Sequence, residues 1–267
     1  MLRFAITASS SAPAGRLADD LGRYMQAALG QRCQVELCSS FAEIADELLE
    51  GRASVGWLPP FAYVRICRVG EVRLLLRAVR ARQRSYYSVL FTRADSPIRE
   101  LDQLRGRRVA WVDSMSASGY LFPLAGLIAA GVPEESLASS TFEGSHTRVV
   151  QAVIGDRADA GATFCTWQGG EPSTPVHSAG WTEGGFIPRP AVRVLARFGP
   201  VPGDTICAGA GVRRADRDAV IQAMAWMHRS EVGALVARGI FGVTRFEPAL
   251  PQHYETVAEA ARTIGMD

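Results

Sequence analysis

Residues 111–132 read WVDSMSASGYLFPLAGLIAAGV. A short apolar run ends at Val112, three serines (Ser114, Ser116, Ser118) and Gly119 follow, and a helix-like apolar run begins at once. The chemistry such a junction can do is anion binding. The first turn of a helix has N–H groups without intrahelical acceptors and carries a partial positive charge. The hydroxyls of Ser116 and Ser118 add donors beside the backbone N–H of Ala117, Ser118 and Gly119, and Gly119 has no Cβ to hold a ligand off the backbone. Together they make an oxyanion cradle that needs no cationic side chain. Ordinary N-capping accounts for one hydroxyl, and this junction offers several.

A second junction has the same character: FEGSHTRVVQAVIGDRADAGA, residues 142–162. Ser145 is placed to cap a helix, and His146 falls in its first turn, where an imidazole can donate to an anion. Taken alone, a histidine at a helix start is more often structural or solvated. Two helix starts that both follow strands of one sheet, however, lie at one sheet edge, where open α/β sheets bind their ligands.

The elements that would hold these junctions alternate along the chain. Strands are predicted at 2–8, 34–37, 54–58, 72–79, 86–93, 109–112, 140–142, 157–164 and 192–197. Helices are predicted at 15–29, 41–49, 59–68, 145–154, 215–229, 232–238 and 251–264, with a turn at GPVPGD. The pattern predicts an α/β fold with mostly parallel strands. Two units emerge: residues 1–85 with 208–267, and residues 86–207, joined by crossing segments near 85–92 and 195–208. The helices after Arg213 show no strand partner and are assigned to the first unit. A two-lobed chain with a cleft between its lobes is suited to closing on a small molecule.

Composition excludes several alternatives. All 29 basic residues are arginine, so there is no Schiff-base lysine and no phosphate-binding loop of the Walker type. A net charge of +2 lacks the clustered basic excess of a nucleic-acid binder. Five cysteines form neither a CxxC pair nor zinc spacing, so no metal and no cofactor is expected. The longest apolar run, Tyr120 to Val132, is too short to span a bilayer. MLRFAITASSS is too short for a secretory signal. The expected location is periplasmic if a leader was trimmed before Met1, and cytoplasmic if Met1 is the native start.

The segments YYSVLFTRADSPIRELDQLRGRRVAWVDSMSASGYLFP, GSHTRVVQAVIGDRADAGAT and VPGD, in that order, resemble the phosphate/phosphite/phosphonate substrate-binding proteins of ABC importers. The resemblance runs from FAITASSS to VPGD. It implies the type 2 periplasmic-binding-protein fold, a small oxyanionic ligand, delivery to an ABC permease, and a monomer. Carried over, the family's serine-threonine-serine anion loop falls on Ser116, Ala117 and Ser118, and its helix-start histidine on His146. Its ligand-facing tyrosine falls on Tyr86, and the aspartate of its PGD turn on Asp204.

The sequence departs from this pattern in three places. Ala117 stands where the family has threonine, and losing a hydrogen bond to a charged group costs about 1.5–3 kcal/mol unless it is replaced. Leu58 stands where some members carry a tyrosine. Trp167 stands where aminoalkylphosphonate binders hold the ligand amine with an acid, which disfavours 2-aminoethylphosphonate. Trp167 either stacks on a ligand tail or packs in the core. Two further readings use the same fold. One is a cytoplasmic enzyme with His146 and Asp204 as acid and base and Cys165 and Cys207 near the cleft. The other is a ligand sensor acting through a partner.

Overall fold

The computed structural model describes residues 1–7, 14–80, 83–168, 174–186 and 191–266. Part of the FAITASSS stretch therefore lies outside the described residues. The chain divides into two compact units, Met1–Arg84 with Pro202–Tyr254, and Ser85–Val201 with Glu255–Asp267.

The first unit opens with β1 (Leu2–Thr7), α1 (Ala14–Leu29), β2 (Cys33–Cys38), α2 (Phe41–Leu49), β3 (Val55–Leu58), α3 (Pro60–Val69) and β4 (Val72–Val79). Local chemistry sets the helix ends. Ala18, Leu21 and Met25 recur at helical spacing and are buried, and Gly30 follows α1 in the left-handed region, φ +63°. Ser40 caps α2 by accepting from Glu43 N at 3.1 Å, and α3 begins on Pro60, whose fixed φ suits a first turn.

The second unit follows with β5 (Ser85–Arg93), β6 (Arg108–Trp111), α4 (Phe122–Ala129), β7 (Ser139–Phe142), α5 (His146–Ile154), β8 (Ala160–Trp167), β9 (Val176–Ala179) and β10 (Val192–Pro202). The chain then returns to the first unit with β11 (Thr205–Gly209), α6 (Arg214–Trp226), α7 (Glu231–Phe241) and β12 (Arg245–Pro248), and ends with α8 (Glu255–Thr263).

The first sheet has the order β12-β4-β11-β3-β1-β2. β1 runs parallel to both β2 and β3, whereas β3–β11, β11–β4 and β4–β12 are antiparallel. The second sheet has the order β10-β5-β8-β6-β7, with β9 also on β8. β6 is parallel to β7 and β8, and β8 is antiparallel to β5 and β9. Both sheets are therefore mixed, not mostly parallel. The second sheet is covered on both faces. Val89, Phe91, Ala110 and Val112 feed a core shared with α5 through Val149, Val150 and Val153. The alternate residues Leu90, Val109 and Trp111 feed a core shared with α4 through Leu127.

Four expectations are corrected. β9, β11 and β12 are strands that the pattern did not reveal, and each is defined by the strand it pairs with. The GPVPGD stretch is not simply a turn, since β10 continues to Pro202. The segment after Arg213 does carry a strand, β12, which pairs with β4. The last helix, α8, belongs with the second unit and packs against α4, so residues 255–267 leave the first unit while 202–207 join it. No helix among the described residues is long and apolar enough to cross a membrane.

Candidate functional site

The serine junction and the histidine junction are both tied to the main chain of Val112. Its N–H donates to Gly119 O at 3.0 Å, and its carbonyl accepts from Gly144 N at 2.8 Å. One residue at the end of β6 thus fixes the turn that opens toward α4 and the turn that opens α5. The β6–β8 ladder pairs Val109 with Ala160 and Ala110 with Gly161.

Residues Ala117–Leu121 form a single π-helical turn that leads into α4. Ser116 caps it, its Oγ accepting from Gly119 N at 3.0 Å. Asp113 shapes the approach, accepting from Met115 N at 2.7 Å through Oδ1 and from Ser116 N at 2.9 Å through its carbonyl. Ser88, fully buried on β5, donates its hydroxyl to Ser118 O at 2.7 Å. Among the described residues the Ser118 hydroxyl and the N–H groups of Ala117 and Ser118 have no hydrogen-bond partner. Among the described residues every fully buried side-chain N or O has one, so the Ser118 hydroxyl, on a residue 2% exposed, keeps an opening to solvent.

Gly119 has a structural reason of its own. A Cβ there would lie 2.3 Å from Val112 Cγ2 and 2.8 Å from Ser116 Oγ. The absent side chain makes room for Val112, not for open space. Ser116 likewise is first a cap, as one of its two sequence readings held.

Ser145 caps α5, accepting from Arg148 N at 3.2 Å, as the sequence reading expected. His146 opens the helix, with Nδ1 2.9 Å from Thr163 Oγ1 and its ring edge-on to Phe164 at 4.9 Å. Adjacent strand residues point to opposite faces. A ring that meets both Thr163 and Phe164 therefore lies across the side of β8. Tyr86, half-buried, shares the face of β5 with Ser88, the residue that holds the Ser118 carbonyl.

The remaining sequence candidates go elsewhere. Trp167 is 5% exposed in the core on the α5 side of the sheet. Its ring stands edge-on to Tyr87 at 5.4 Å, with the Arg197 guanidinium 5.6 Å from its centroid. Core packing is the reading of Trp167 that the structure carries. In the first unit, Leu58 is fully buried at the end of β3, its carbonyl accepting from Thr205 Oγ1 at 3.0 Å. Where some family members carry a tyrosine, Leu58 packs in the core. The Asp204 carboxylate meets Arg80 Nη2 at 2.5 Å, and Asp204 O accepts from Ala78 N at 2.8 Å. That carboxylate is paired with an arginine.

The thiols invoked for an enzyme are suppressed. Burial pushes Cys165 up to about 12 against the opposing pull of Arg197, and burial pushes Cys207 up too, despite its hydrogen bond with Thr205. Neither is a thiolate at neutral pH, so neither is an activated nucleophile.

Residues 4–254 match a family model described as ABC transporter, phosphonate, periplasmic substrate-binding protein. The chain belongs to this family. Members of the phosphonate-type family are transporter substrate-binding proteins. The phosphate-import protein PhnD of Mycolicibacterium smegmatis is 30% identical over 173 residues, 61% of this chain and 54% of that protein. The chain thus matches about half the length of that curated relative. Among solved structures, a Xanthomonas citri protein bound to ATP is similar with a TM-score of 0.79 at 20% identity, covering 99% of this chain and 96% of that one. PhnD1 of Prochlorococcus marinus in complex with methylphosphonate is similar with a TM-score of 0.75 at 15% identity, covering 100% and 98%. These structures share the fold of the phosphonate-type, two-lobed binding proteins.

Sequence reasoning missed Val112, Ser88, Thr163 and Arg80. Ser88, Val112 and Thr163 stand inside the quoted segments and Arg80 outside them, but each acts through a neighbour brought near by the fold. The one available signal was polarity inside otherwise apolar strands: Ser88 in SYYSVLFTR and Thr163 in AGATFCTW.

Proposed function

We propose that this chain captures a small tetrahedral oxyanion of the phosphonate, phosphite or phosphate type for delivery to an ABC importer. The ligand is held on the second unit by the opening turns at Ala117–Leu121 and α5. The observation that supports this reading is the common attachment of both turns to Val112, which sets two sets of helix-start N–H groups at the end of β6. Partnerless N–H groups at Ala117 and Ser118, the Ser118 hydroxyl and His146 supply neutral donors, with Tyr86 on the adjoining strand face. The backbone N–H of Ala117 serves although the family's threonine hydroxyl is absent. Family membership supports the transport role. The phosphate named for the mycobacterial relative and the methylphosphonate named for the Prochlorococcus structure set the first ligands to try.

Calorimetric titration with methylphosphonate, phosphite, phosphate and methanesulfonate tests the proposal. We expect saturable binding of at least one phosphorus oxyanion and its loss on His146→Ala. No heat and no thermal shift with any of the four would sink it.

A further inference from the structure

The Thr163 hydroxyl is fully buried and lies 2.9 Å from Nδ1 of His146. It makes no other hydrogen bond among the described residues. Gly180 backs directly onto it, since a Cβ there would come within 2.4 Å of Thr163 Oγ1. This one contact decides where the imidazole proton sits. If Nδ1 held the proton and donated to the hydroxyl oxygen, the hydroxyl's own proton would be buried without an acceptor, which native structures avoid. If the hydroxyl donates, Nδ1 accepts, both groups are satisfied, and the proton of the neutral ring is on Nε2.

We propose that Thr163 is a positioning residue for oxyanion capture: its buried hydroxyl donates to His146 Nδ1, fixing the neutral Nε2–H tautomer and orienting the ring so that Nε2–H donates to the oxyanion. The inference rests on the function proposed above and adds how the histidine works. The edge contact with Phe164 at 4.9 Å fixes the ring from a second direction. Forming the imidazolium would put a proton on Nδ1 and reverse the Thr163 bond, leaving the buried hydroxyl proton without an acceptor. His146 therefore acts as an oriented dipole in company with backbone N–H groups and hydroxyls, and not as a fixed positive charge.

The test uses the full chain labelled with 15N-histidine. His146 is assigned among the four histidines by its loss in His146→Gln. Long-range 1H–15N spectra of ligand-free wild type at pH 8 should show His146 with its proton on Nε2. Thr163→Val should lose that single-tautomer signature and weaken methylphosphonate or phosphate binding by about three- to tenfold. Thr163→Ser, which keeps the hydroxyl, should retain both. A proton on Nδ1 in wild type, or a Thr163→Val protein unchanged in spectrum and affinity, overturns the proposal. If Thr163→Val does not fold, the wild-type tautomer and the Thr163→Ser comparison decide it. If wild type binds neither probe, the functional proposal falls and the capture role with it, while the tautomer in ligand-free protein still reports whether Thr163 donates to Nδ1.

Discussion

Val112 and Gly119 are locked together twice: the Val112 N–H donates to the Gly119 carbonyl at 3.0 Å, and the Val112 side chain fills the space that a Cβ on Gly119 would need. The last residue of a strand excursion thereby sets the height of the turn that follows it. Because the Val112 carbonyl also receives Gly144 N, the two candidate anion-binding turns are both tied to a single residue.

Gly119→Ala should therefore destabilise the protein by about 1–3 kcal/mol, the scale of an overpacked core site. Thermal unfolding checks this. Adding Val112→Ala should recover part of the loss, since the nearest clashing atoms belong to that side chain. Equal stability of Gly119→Ala and wild type would refute the locking.

Ser116 and Ser118 should separate in their effects. Ser116 Oγ holds Gly119 N, so Ser116→Ala should cost about 1 kcal/mol of stability, as for other N-caps, whatever it does to binding. Ser118 Oγ holds nothing among the described residues. Ser118→Ala should leave the melting temperature of ligand-free protein within about 1 °C and weaken oxyanion binding. A large drop in melting temperature for Ser118→Ala would assign that hydroxyl to the scaffold.

Acid should loosen the start of the strand pair that carries the site. Asp159, just ahead of β8, accepts from Arg108 at 2.8 Å through the backbone N and at 3.0 Å through Nη2. Hydrogen bonds from Arg108 hold its carboxyl below the ordinary 3.8, against the opposing effect of burial. A depressed folded pKa means that the stabilisation is complete above 3.8 and is lost as pH falls through the lower, folded value. Asp159→Asn should lower the melting temperature at pH 7 by about 2–4 °C and flatten its decline below pH 4. Parallel acid profiles for mutant and wild type would contradict this.

The buried thiols give a direct check on the enzyme alternative. Cys165 and Cys207 are buried, and burial raises both, Cys165 to about 12. Neither should react with iodoacetamide at pH 8 in folded protein, and both should react in denaturant. Cys165→Ser should bind oxyanion as wild type does. Rapid alkylation of either in the folded state would reopen nucleophilic chemistry at that position.

Much of the architecture is legible in the chain because it is local. The caps at Ser40 and Ser145, the Pro60 start of α3 and the glycine after α1 are decided within a few residues, and the predicted helices stand close to their observed bounds. The same holds for the two junctions and for the family resemblance, since both are written in contiguous motifs. The short strands β9, β11 and β12 were not legible. Their identity as strands comes from the neighbours they pair with antiparallel.

By itself, then, the sequence determined the residue types at the two helix starts and the neutral, lysine-free character of their donors. The tertiary structure decided which of those donors are already spoken for. It sent Trp167 and Leu58 into packing, paired Asp204 with Arg80, and brought Thr163 to His146. The physical reason is that a hydrogen bond or a buried contact between residues far apart in the chain depends on strand register and sheet order, and no local pattern encodes either one.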